Sequence, residues 1–343
     1  MQAAVYHRYG PPECLELAEI EKPIPADDQV VVRVCSASVN PYDWHFLYGT
    51  PLFIRLFTGL LHPKSPRLGA DVSGQVESIS SRVTRFKPGD LVFGTCQGAF
   101  AQFACAPEKN LALKPECLTF EQAASLPIAG VTALQALRDS ARLQPGQSIL
   151  INGAAGGVGT FAVQIARHMG AVVTGVCSTR NVGFVQSIGA HSAIDYTRED
   201  FTHSGFHYDA ILDLVGNHSL SDLRRALLPR GVLVPCGGGG PDRSSVALLT
   251  SLLGQAICAP FISQRIAGIL ARINPDDLDY LAGVVEAGYV KPVFDREFPL
   301  RETAAAIRYL EQGHARGKVM ISVSGPKSAE RTNGTLVGAL TKS

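Results

Sequence analysis

The sequence predicts an α/β protein that joins a doubly wound parallel sheet to a β-rich, barrel-like unit. Three observations predict this fold class. The chain has 343 residues, enough for about two domains. Short strands separated by turns occupy its first third, and strands alternate with helices in its middle. Hydrophobic residues make up 46% and charged residues 18%, which provides a large core and excludes a disordered chain.

The charge balance and the first residues narrow the class of protein. Lysine and arginine number 31 against 30 acidic residues, a net charge of +1. Nothing electrostatic therefore predicts nucleic acid or an anionic membrane as the main partner. Residues 1–9 lack the basic flank and the apolar run of a secretory signal. We therefore expect a cytoplasmic protein with neither kind of partner.

The β-rich unit is predicted from short apolar strands that end at proline and glycine turns. Strands are expected at residues 29–34, 72–79 and 91–93. The strand pattern returns beyond residue 290, so this unit is predicted to be discontinuous. The predicted domains are residues 1–123 with 290–343 for the β-rich unit and residues 124–289 for the parallel-sheet unit.

The parallel sheet is predicted from buried strands that alternate with helices. Apolar runs at residues 149–151, 172–176, 210–214 and 231–234 are separated by helical patterns such as 162–168 and 219–228. Such an alternation builds right-handed βαβ units.

A glycine-rich turn at residues 153–159, Gly-Ala-Ala-Gly-Gly-Val-Gly, is the first functional motif. It follows a predicted strand and opens a predicted helix, where backbone N–H groups can approach a pyrophosphate. Ala154 stands where the full GxGxxG pattern has its first glycine. Gly156, Gly157 and Val158 are the expected pyrophosphate contacts. The alternative is an ordinary turn between a strand and a helix.

The end of the next strand indicates which dinucleotide binds. NAD-binding units place Asp or Glu there, to hold a ribose hydroxyl. Residues 176–181 read Val-Cys-Ser-Thr-Arg-Asn instead. The hydroxyl of Ser178 and the guanidinium of Arg180 suit a 2′-phosphate, so the sequence predicts NADPH. A solvated arginine on a turn is the alternative.

Several motifs occur in order along about residues 1–323. They are Val-Asn-Pro-Tyr-Asp at 39–43, Gly-Ala-Asp-Val-Ser-Gly at 69–74, Lys-Pro-Gly-Asp at 87–90, Ala-Gly-Val-Thr-Ala at 129–133, the glycine turn, Ile-Asp-Tyr at 194–196 and Arg-Gly-Lys-Val at 316–319. With them the chain resembles the medium-chain dehydrogenase/reductases, in their zinc-free quinone oxidoreductase branch that includes zeta-crystallin. The resemblance implies a Rossmann domain, a GroES-like catalytic domain and a homodimer. It also implies NADPH-dependent reduction of quinones or α,β-unsaturated carbonyls in the cleft between the domains.

The residues do not favour a metal site. A catalytic zinc needs three protein ligands, and zinc members of the family carry Cys where Asn40 stands and a His-Glu pair near Ala70 and Asp71. The eight cysteines form no CxxC pair, and His45 and His62 are single histidines. No metal is predicted, and the cysteines are expected to be reduced and buried. Without a Lewis acid, hydride transfer to a conjugated acceptor is favoured over alcohol oxidation.

The resemblance also implies site residues. Asn40 would lie nearest the nicotinamide, where its amide bonds a ribose hydroxyl or the acceptor oxygen. The alternative is that Asn40 only caps the turn before Pro41. Asp43 would orient that loop. The further cofactor contacts expected from the family pattern are Thr132, Tyr196 on the adenosine side, Gly237 and Lys318.

Tyr48 is the candidate proton donor. Its hydroxyl suits the role, but an aromatic side chain in this neighbourhood can equally be a pocket wall, and water is the alternative donor. Related enoyl-thioester reductases carry a tyrosine about two residues after the glycine that matches Gly49. Here residues 50–52 read Thr-Pro-Leu. This difference counts against an enoyl-thioester substrate.

Two apolar segments are candidates for substrate contact. Residues 51–61 read PLFIRLFTGLL, and residues 244–264 carry no charge. The second segment is long enough to cross a bilayer, but its polar residues and proline favour a buried helix. We expect the first segment to form a hydrophobic lid or pocket wall together with part of residues 246–261, for a bulky, water-poor substrate. An interface or core helix is the alternative.

The sequence thus predicts an NADPH-dependent, zinc-independent oxidoreductase that transfers hydride to a small hydrophobic quinone or enone. An enoyl-thioester reductase is the alternative enzyme. From another class, the alternative is a non-catalytic scaffold or membrane-traffic protein that keeps the cofactor fold.

Overall fold

A computed structural model describes residues 1–236 and 263–323. Its strands are β1 (Gln2–Val5), β2 (Glu16–Glu19), β3 (Gln29–Val39), β4 (Asp71–Ile79), β5 (Leu91–Thr95), β6 (Phe103–Pro107), β7 (Leu111–Leu113), β8 (Ser148–Asn152), β9 (Val172–Cys177), β10 (Ser192–Asp195), β11 (Tyr208–Asp213), β12 (Leu227–Pro235), β13 (Arg265–Ile266), β14 (Phe294–Pro299) and β15 (Lys318–Ser322). Its helices are α1 (Pro41–Tyr48), α2 (Ile54–Thr58), α3 (Phe120–Ala124), α4 (Pro127–Gln135), α5 (Gly157–His168), α6 (Val182–Ser187), α7 (Leu220–Arg225), α8 (Pro275–Glu286) and α9 (Thr303–Glu311).

One sheet is parallel and doubly wound. Its strand order is β10-β9-β8-β11-β12-β13, and every neighbouring pair is parallel. Counted along the chain, this is the order 3-2-1-4-5-6 of dinucleotide-binding sheets. Residues 149–151 of β8 are wholly buried because helices cover both faces of such a sheet. The predicted Rossmann unit is confirmed.

The second sheet is mostly antiparallel and joins both ends of the chain. Its strand path is β14-β15-β3-β4-β5-β7, and β6 also pairs with β3. Strand β15 runs antiparallel to β3, with Val319 opposite Val39. The strands after residue 290 therefore complete the sheet that the first third of the chain begins. The exact domain boundaries stay a prediction, and helix α3 crosses the predicted limit at residue 123.

Two large apolar clusters form the interior, and the one under the parallel sheet also includes Phe93 and Ala112 of the second sheet. Phe161 and Leu134 belong to the large cluster that packs helices against the parallel sheet. Leu47, Val32 and Val319 belong to the cluster inside the second sheet. Apolar packing therefore joins the two units, and polar groups of each meet beside it.

The elements around β12 differ from the prediction. A helix was expected at residues 219–228, but α7 ends at Arg225 and β12 begins at Leu227. Ser219 caps the helix by accepting from the Asp222 N–H at 3.2 Å. Leu227 then pairs with Tyr208 of β11. The tertiary sheet pairing ends this helix earlier than its sequence pattern suggests.

Several predicted features fall on residues 237–262, which are outside the described residues. These are Gly237, Cys258 and most of the uncharged segment 244–264. Within residues 1–236 and 263–323, no helix combines the length and apolar character needed to span a bilayer.

Candidate active site

The glycine turn opens helix α5 at the point where the strand order reverses, between β8 and β11. Gly153 has φ +90°, and a Cβ on Gly159 would lie 2.1 Å from the Gly153 carbonyl oxygen. Only glycine fits at these two positions. Gly156 is the N-cap of α5 and brings no side chain to cap it. The first-turn N–H groups and the positive end of the helix dipole are therefore available for an anion.

The start of β15 lies directly against this turn. The Gly317 N–H donates to the Ala155 carbonyl at 2.8 Å, and Gly317 bridges to Gly156. A Cβ on Gly157 would lie 3.0 Å from the Cδ of Lys318. The alkyl chain of Lys318 thus runs beside the turn. Its ammonium group lies at Asn40 and Asp71, beside the second sheet.

A buried polar network surrounds that ammonium group. We call Ser38, Asn40, Asp43, Asp71 and Lys318 the polar network. Each of its members is at most 3% exposed. The Lys318 Nζ donates to Asn40 Oδ1 and lies 3.4 Å from Asp71 Oδ2. The network therefore holds one cation near two carboxyl groups, and all of these groups are buried.

The side-chain amide of Asn40 donates its hydrogens to groups inside the protein. Its Nδ2 donates to Asp71 Oδ2 at 2.9 Å and to the Ser38 carbonyl at 3.2 Å. Its Oδ1 accepts from Lys318 and retains one lone pair. The expected donation from Asn40 to a ribose hydroxyl or an acceptor oxygen therefore has no support in this geometry. An accepting role remains open to Asn40.

Asp71 connects the network to the first helix of the Rossmann unit. Its Oδ1 accepts from the Ile128 N–H at 3.0 Å, in the first turn of α4. Its Oδ2 accepts from the Ser38 hydroxyl at 2.6 Å. A carboxylate at a helix N-terminus is favoured by the helix dipole. Thr132, 9% exposed, lies one turn further along the same helix.

Asp43 accepts hydrogen bonds from two backbone N–H groups beside the loop after β3. Its Oδ2 accepts from the Asn40 N–H at 2.7 Å, and its Oδ1 accepts from the Gly69 N–H at 3.2 Å. Burial raises the pKa of Asp43 to about 7, and these two N–H groups oppose the shift. Burial lowers the pKa of Lys318, while the carboxylates of Asp71 and Asp43 oppose that shift.

The predicted 2′-phosphate position holds two arginines. Arg180 donates through Nη2 to the His314 carbonyl at 2.6 Å. Arg316 donates to Asn181 Oδ1 at 3.0 Å, and its guanidinium lies 5.0 Å from the ring centre of Phe184. Both arginines therefore bridge the two domains at the end of β9. Arg316 was not expected as a site residue, although the motif at residues 316–319 contains it.

A carboxylate also reaches this end of the cleft, from the neighbouring strand. Asp195, at the end of β10, accepts from the Thr179 hydroxyl at 2.6 Å. That bond and those from Thr197 lower the pKa of Asp195. Its oxygens are thus satisfied by protein hydroxyls and the Thr197 N–H. Tyr196, the next residue, is 55% exposed.

Tyr48 is not brought to the polar network. It packs against the apolar cluster of the second sheet and hydrogen-bonds to Glu311 of α9. Its hydroxyl is therefore engaged at another place, and proton donation by Tyr48 has no support in this geometry.

A cavity of about 280 Å³ adjoins the network. Its lining includes Tyr6, Tyr42, Phe46, Phe57, Arg67 and Gly69. Gly69 is the residue whose N–H donates to Asp43, so a hydrogen bond joins the cavity wall to the network. The cavity is aromatic on one side and lies between α1, α2 and residues 64–69, which suits a small hydrophobic molecule.

The doubly wound sheet, its glycine turn and the second sheet beside it define a two-domain dehydrogenase or reductase. Comparisons with known proteins identify the family within this class. Residues 26–116 match the family described as alcohol dehydrogenase GroES-like domain, and residues 188–321 match the one described as zinc-binding dehydrogenase.

Three relatives illustrate the similarity. A mouse quinone oxidoreductase is 32% identical, over 94% of this chain and 97% of the mouse protein. A chloroplastic NADPH-dependent alkenal/one oxidoreductase from Arabidopsis thaliana is 33% identical, over 94% of this chain and 79% of the relative. The structure of the quinone oxidoreductase from Coxiella burnetii superposes with a TM-score of 0.82 at 32% identity, covering 94% and 99% of the two chains. The chain belongs to the quinone oxidoreductases of the medium-chain dehydrogenase/reductase family, and it is an oxidoreductase.

The residues present do not fit the zinc that one family description names. Asn40 and Asp71 surround a lysine ammonium group, which would repel a second cation. Of the residues with described placement, no three His, Cys, Asp or Glu side chains are grouped to hold a metal. His45 donates from Nδ1 to the Thr50 carbonyl at 2.9 Å, and His62 is exposed. We therefore derive no chemical step through zinc.

Proposed function

We propose that this protein binds NADPH and reduces a small hydrophobic quinone or α,β-unsaturated carbonyl. One observation carries the proposal. The glycine turn that suits a pyrophosphate contacts Lys318, whose ammonium group belongs to the network beside an aromatic cavity. A bound dinucleotide would thus have its phosphates and its nicotinamide along one cleft. The names of the quinone oxidoreductase and alkenal/one oxidoreductase relatives support the same chemistry.

The described residues fit a dinucleotide. The turn leaves N–H groups of Gly157 and Val158 uncapped, and two arginines lie at the end of β9. When bound, NADPH supplies a hydride. The protein's part is to hold the dinucleotide, to align the acceptor in the cavity and to exclude water.

We propose a role for each group of residues. Gly156, Gly157 and Val158 bind the pyrophosphate, and Arg180, Ser178 and Arg316 bind the 2′-phosphate. Tyr196 lies along the adenosine, and Thr132 contacts the nicotinamide half. Asn40, Asp43 and Lys318 position that half from the network, with Asn40 as an acceptor.

The assembly and metal content are further parts of the proposal. We propose a zinc-independent, cytoplasmic homodimer whose domains are residues 1–123 with 290–343 and residues 124–289. Light scattering of the purified protein tests the dimer. Activity that persists after dialysis against a chelator tests zinc independence, and full loss of activity would contradict it.

Parallel assays of NADPH oxidation test the reaction. A quinone, an alkyl enone and an enoyl thioester are supplied in turn, and NADPH absorbance is followed. We expect turnover with the quinone or the enone. Turnover with the enoyl thioester alone would replace the proposed substrate class. Tight NADPH binding without oxidation by any acceptor would point to a scaffold.

Arg180→Ala tests the choice of cofactor. Loss of a charge-assisted contact to phosphate should weaken NADPH binding about tenfold and leave NADH binding unchanged. Arg301→Ala is the matched control, because this exposed arginine pairs with the neighbouring Glu302. Equal effects of Arg180→Ala on the two cofactors would contradict the assignment.

A further inference from the structure

Helix α2 and the residues after it present apolar side chains to solvent. Leu52, Phe53, Leu56, Phe57, Leu60 and Leu61 are each at least 51% exposed, and Leu61 reaches 78%. We call these six residues the apolar patch. Single exposed leucines are ordinary on a protein surface, but a contiguous group of this kind marks an interaction site.

The polar side of the same segment faces the protein. Arg55 donates to the carbonyls of Gly49 and Tyr48, and its guanidinium lies 4.4 Å from the ring centre of Tyr9. The Tyr9 hydroxyl donates to the Gly59 carbonyl at 2.6 Å and contacts the Thr58 hydroxyl at 2.7 Å. The usual orientation of an amphipathic surface segment is therefore reversed. Polar contacts fix the segment and direct its apolar side chains outward.

The charged side chains of the segment that carries the patch have one sign. Residues 44–70 contain no aspartate or glutamate. Arg55 is directed to the protein, whereas Lys64 and Arg67 line the cavity beside Phe57 of the patch. Lys64 and His62 are exposed beside Leu60 and Leu61. Outward leucine and phenylalanine with flanking cations is the combination that binds an anionic lipid surface. A second copy of this chain fits less well, since a two-fold contact would bring both sets of cations together.

The patch also borders the cavity beside the polar network. Phe57 belongs to both, and Lys64 and Arg67 line the cavity as well. A hydrophobic acceptor dissolved in a bilayer would thus reach the cavity without crossing water.

We propose that the apolar patch docks this protein on the surface of an anionic membrane, with the cavity mouth at the lipid. Docking is a property of the patch alone, whereas acceptor entry from the lipid rests on the proposed function.

Vesicle sedimentation tests the docking. The full chain is mixed, without cofactor or acceptor, with vesicles of phosphatidylcholine alone or of phosphatidylcholine with phosphatidylserine. We expect it to pellet with the vesicles that contain phosphatidylserine, and less at high salt. For the double variant Leu60→Ser, Leu61→Ser, the partition coefficient into vesicles should fall at least about tenfold, because the variant buries less apolar area in the lipid. Lys64→Glu should also reduce binding.

A matched control removes at least as much exposed apolar surface elsewhere. Ile24 is 91% exposed and Leu270 is 83% exposed, so the double variant Ile24→Ser, Leu270→Ser makes the same chemical change away from the patch. It should bind vesicles like the unaltered protein. Urea unfolding midpoints near the unaltered value show that both double variants are folded.

Three results would overturn the proposal. The first is that the unaltered protein stays in solution with phosphatidylserine vesicles. The second is that both double variants reduce pelleting equally. The third is that light scattering shows a dimer which Leu60→Ser, Leu61→Ser converts to a monomer, since the patch would then join two copies. Failure of the proposed function would appear separately, as no NADPH oxidation with a water-soluble quinone.

Discussion

At the scale of single residues, Lys318 decides the character of the site. It lies at the start of β15 and is 3% exposed, its alkyl chain passes the glycine turn, and its ammonium group lies between Asn40 and Asp71. A buried charge of this kind is tolerated because hydrogen bonds and an opposite charge compensate for lost water. The same lysine therefore contacts the proposed phosphate region and orders the residue nearest the proposed nicotinamide position.

Lys318→Met should destabilise the protein by about 3 kcal/mol, because it leaves the buried Asp71 without its cation. Urea unfolding followed by circular dichroism measures the change. Lys22→Met is the matched control, since Lys22 pairs with Glu77 at 2.8 Å on the surface and its loss should cost at most about 1 kcal/mol. Equal costs for the two variants would contradict a compensating role for Lys318.

Asp43 should make stability depend on pH. Its pKa in the folded protein is about 7, above the value near 4 of an unfolded aspartate. Between these values the folded state binds the proton more tightly, so this group removes stability as pH rises from about 4 to about 7.

Asp43→Asn removes that titration. It should also cost about 1–3 kcal/mol at low pH, because one of the Asn40 and Gly69 N–H groups then faces an amide NH₂. The difference between the two proteins should therefore be largest near pH 4 and shrink toward pH 7. Unfolding midpoints measured across this range test the prediction, and parallel stability curves would refute it.

At the scale of elements, the glycine turn and α5 behave as one unit. The turn places Gly159 so close to the Gly153 carbonyl that the helix packs directly onto the strand before it. This close packing is why a glycine pattern in sequence predicts the local geometry so well. Helix α2 is the opposite case, because its sequence shows apolar character but not which side faces solvent.

Gly159→Ala should destabilise the protein by about 1–3 kcal/mol and weaken NADPH binding, since its Cβ would lie 2.1 Å from a backbone oxygen and the turn must shift. Gly183→Ala in α6 is the matched control. Nothing lies within 4 Å of its Cβ, so the substitution should be neutral or stabilise by up to about 1 kcal/mol. Calorimetric binding and unfolding midpoints distinguish the two.

At the scale of the whole molecule, polar contacts join the two domains beside a shared apolar cluster. Asp71 on β4 caps α4 of the Rossmann unit, and Arg316 reaches from the second sheet to Asn181. These contacts set the cleft in which both ends of the dinucleotide would bind. They also link strands of the first third of the chain to residues near its other end.

Arg316→Met should raise the KM for NADPH about tenfold, because it removes a cation and the bridge to Asn181. The free energy of unfolding should change by less than about 1 kcal/mol, since the contact is partly exposed. Steady-state kinetics and urea unfolding measure both. An unchanged KM would separate Arg316 from the cofactor site.

The sequence by itself determined the fold class, the alternation of strands and helices in the middle of the chain, and the glycine turn. These features depend on apolar periodicity and on local glycine geometry, which short windows of the chain contain. It also carried the family motifs that include Asn40 and Lys318, and the Arg180 position that predicts NADPH.

Only the tertiary structure decided what those residues contact. Asn40 meets Asp71 and Lys318 because β15 pairs with β3, which brings together residues 278 positions apart. The same folding engages the Tyr48 hydroxyl at Glu311 and turns the apolar side of α2 outward. Contacts between distant segments depend on sheet register and packing, and local sequence patterns do not specify these.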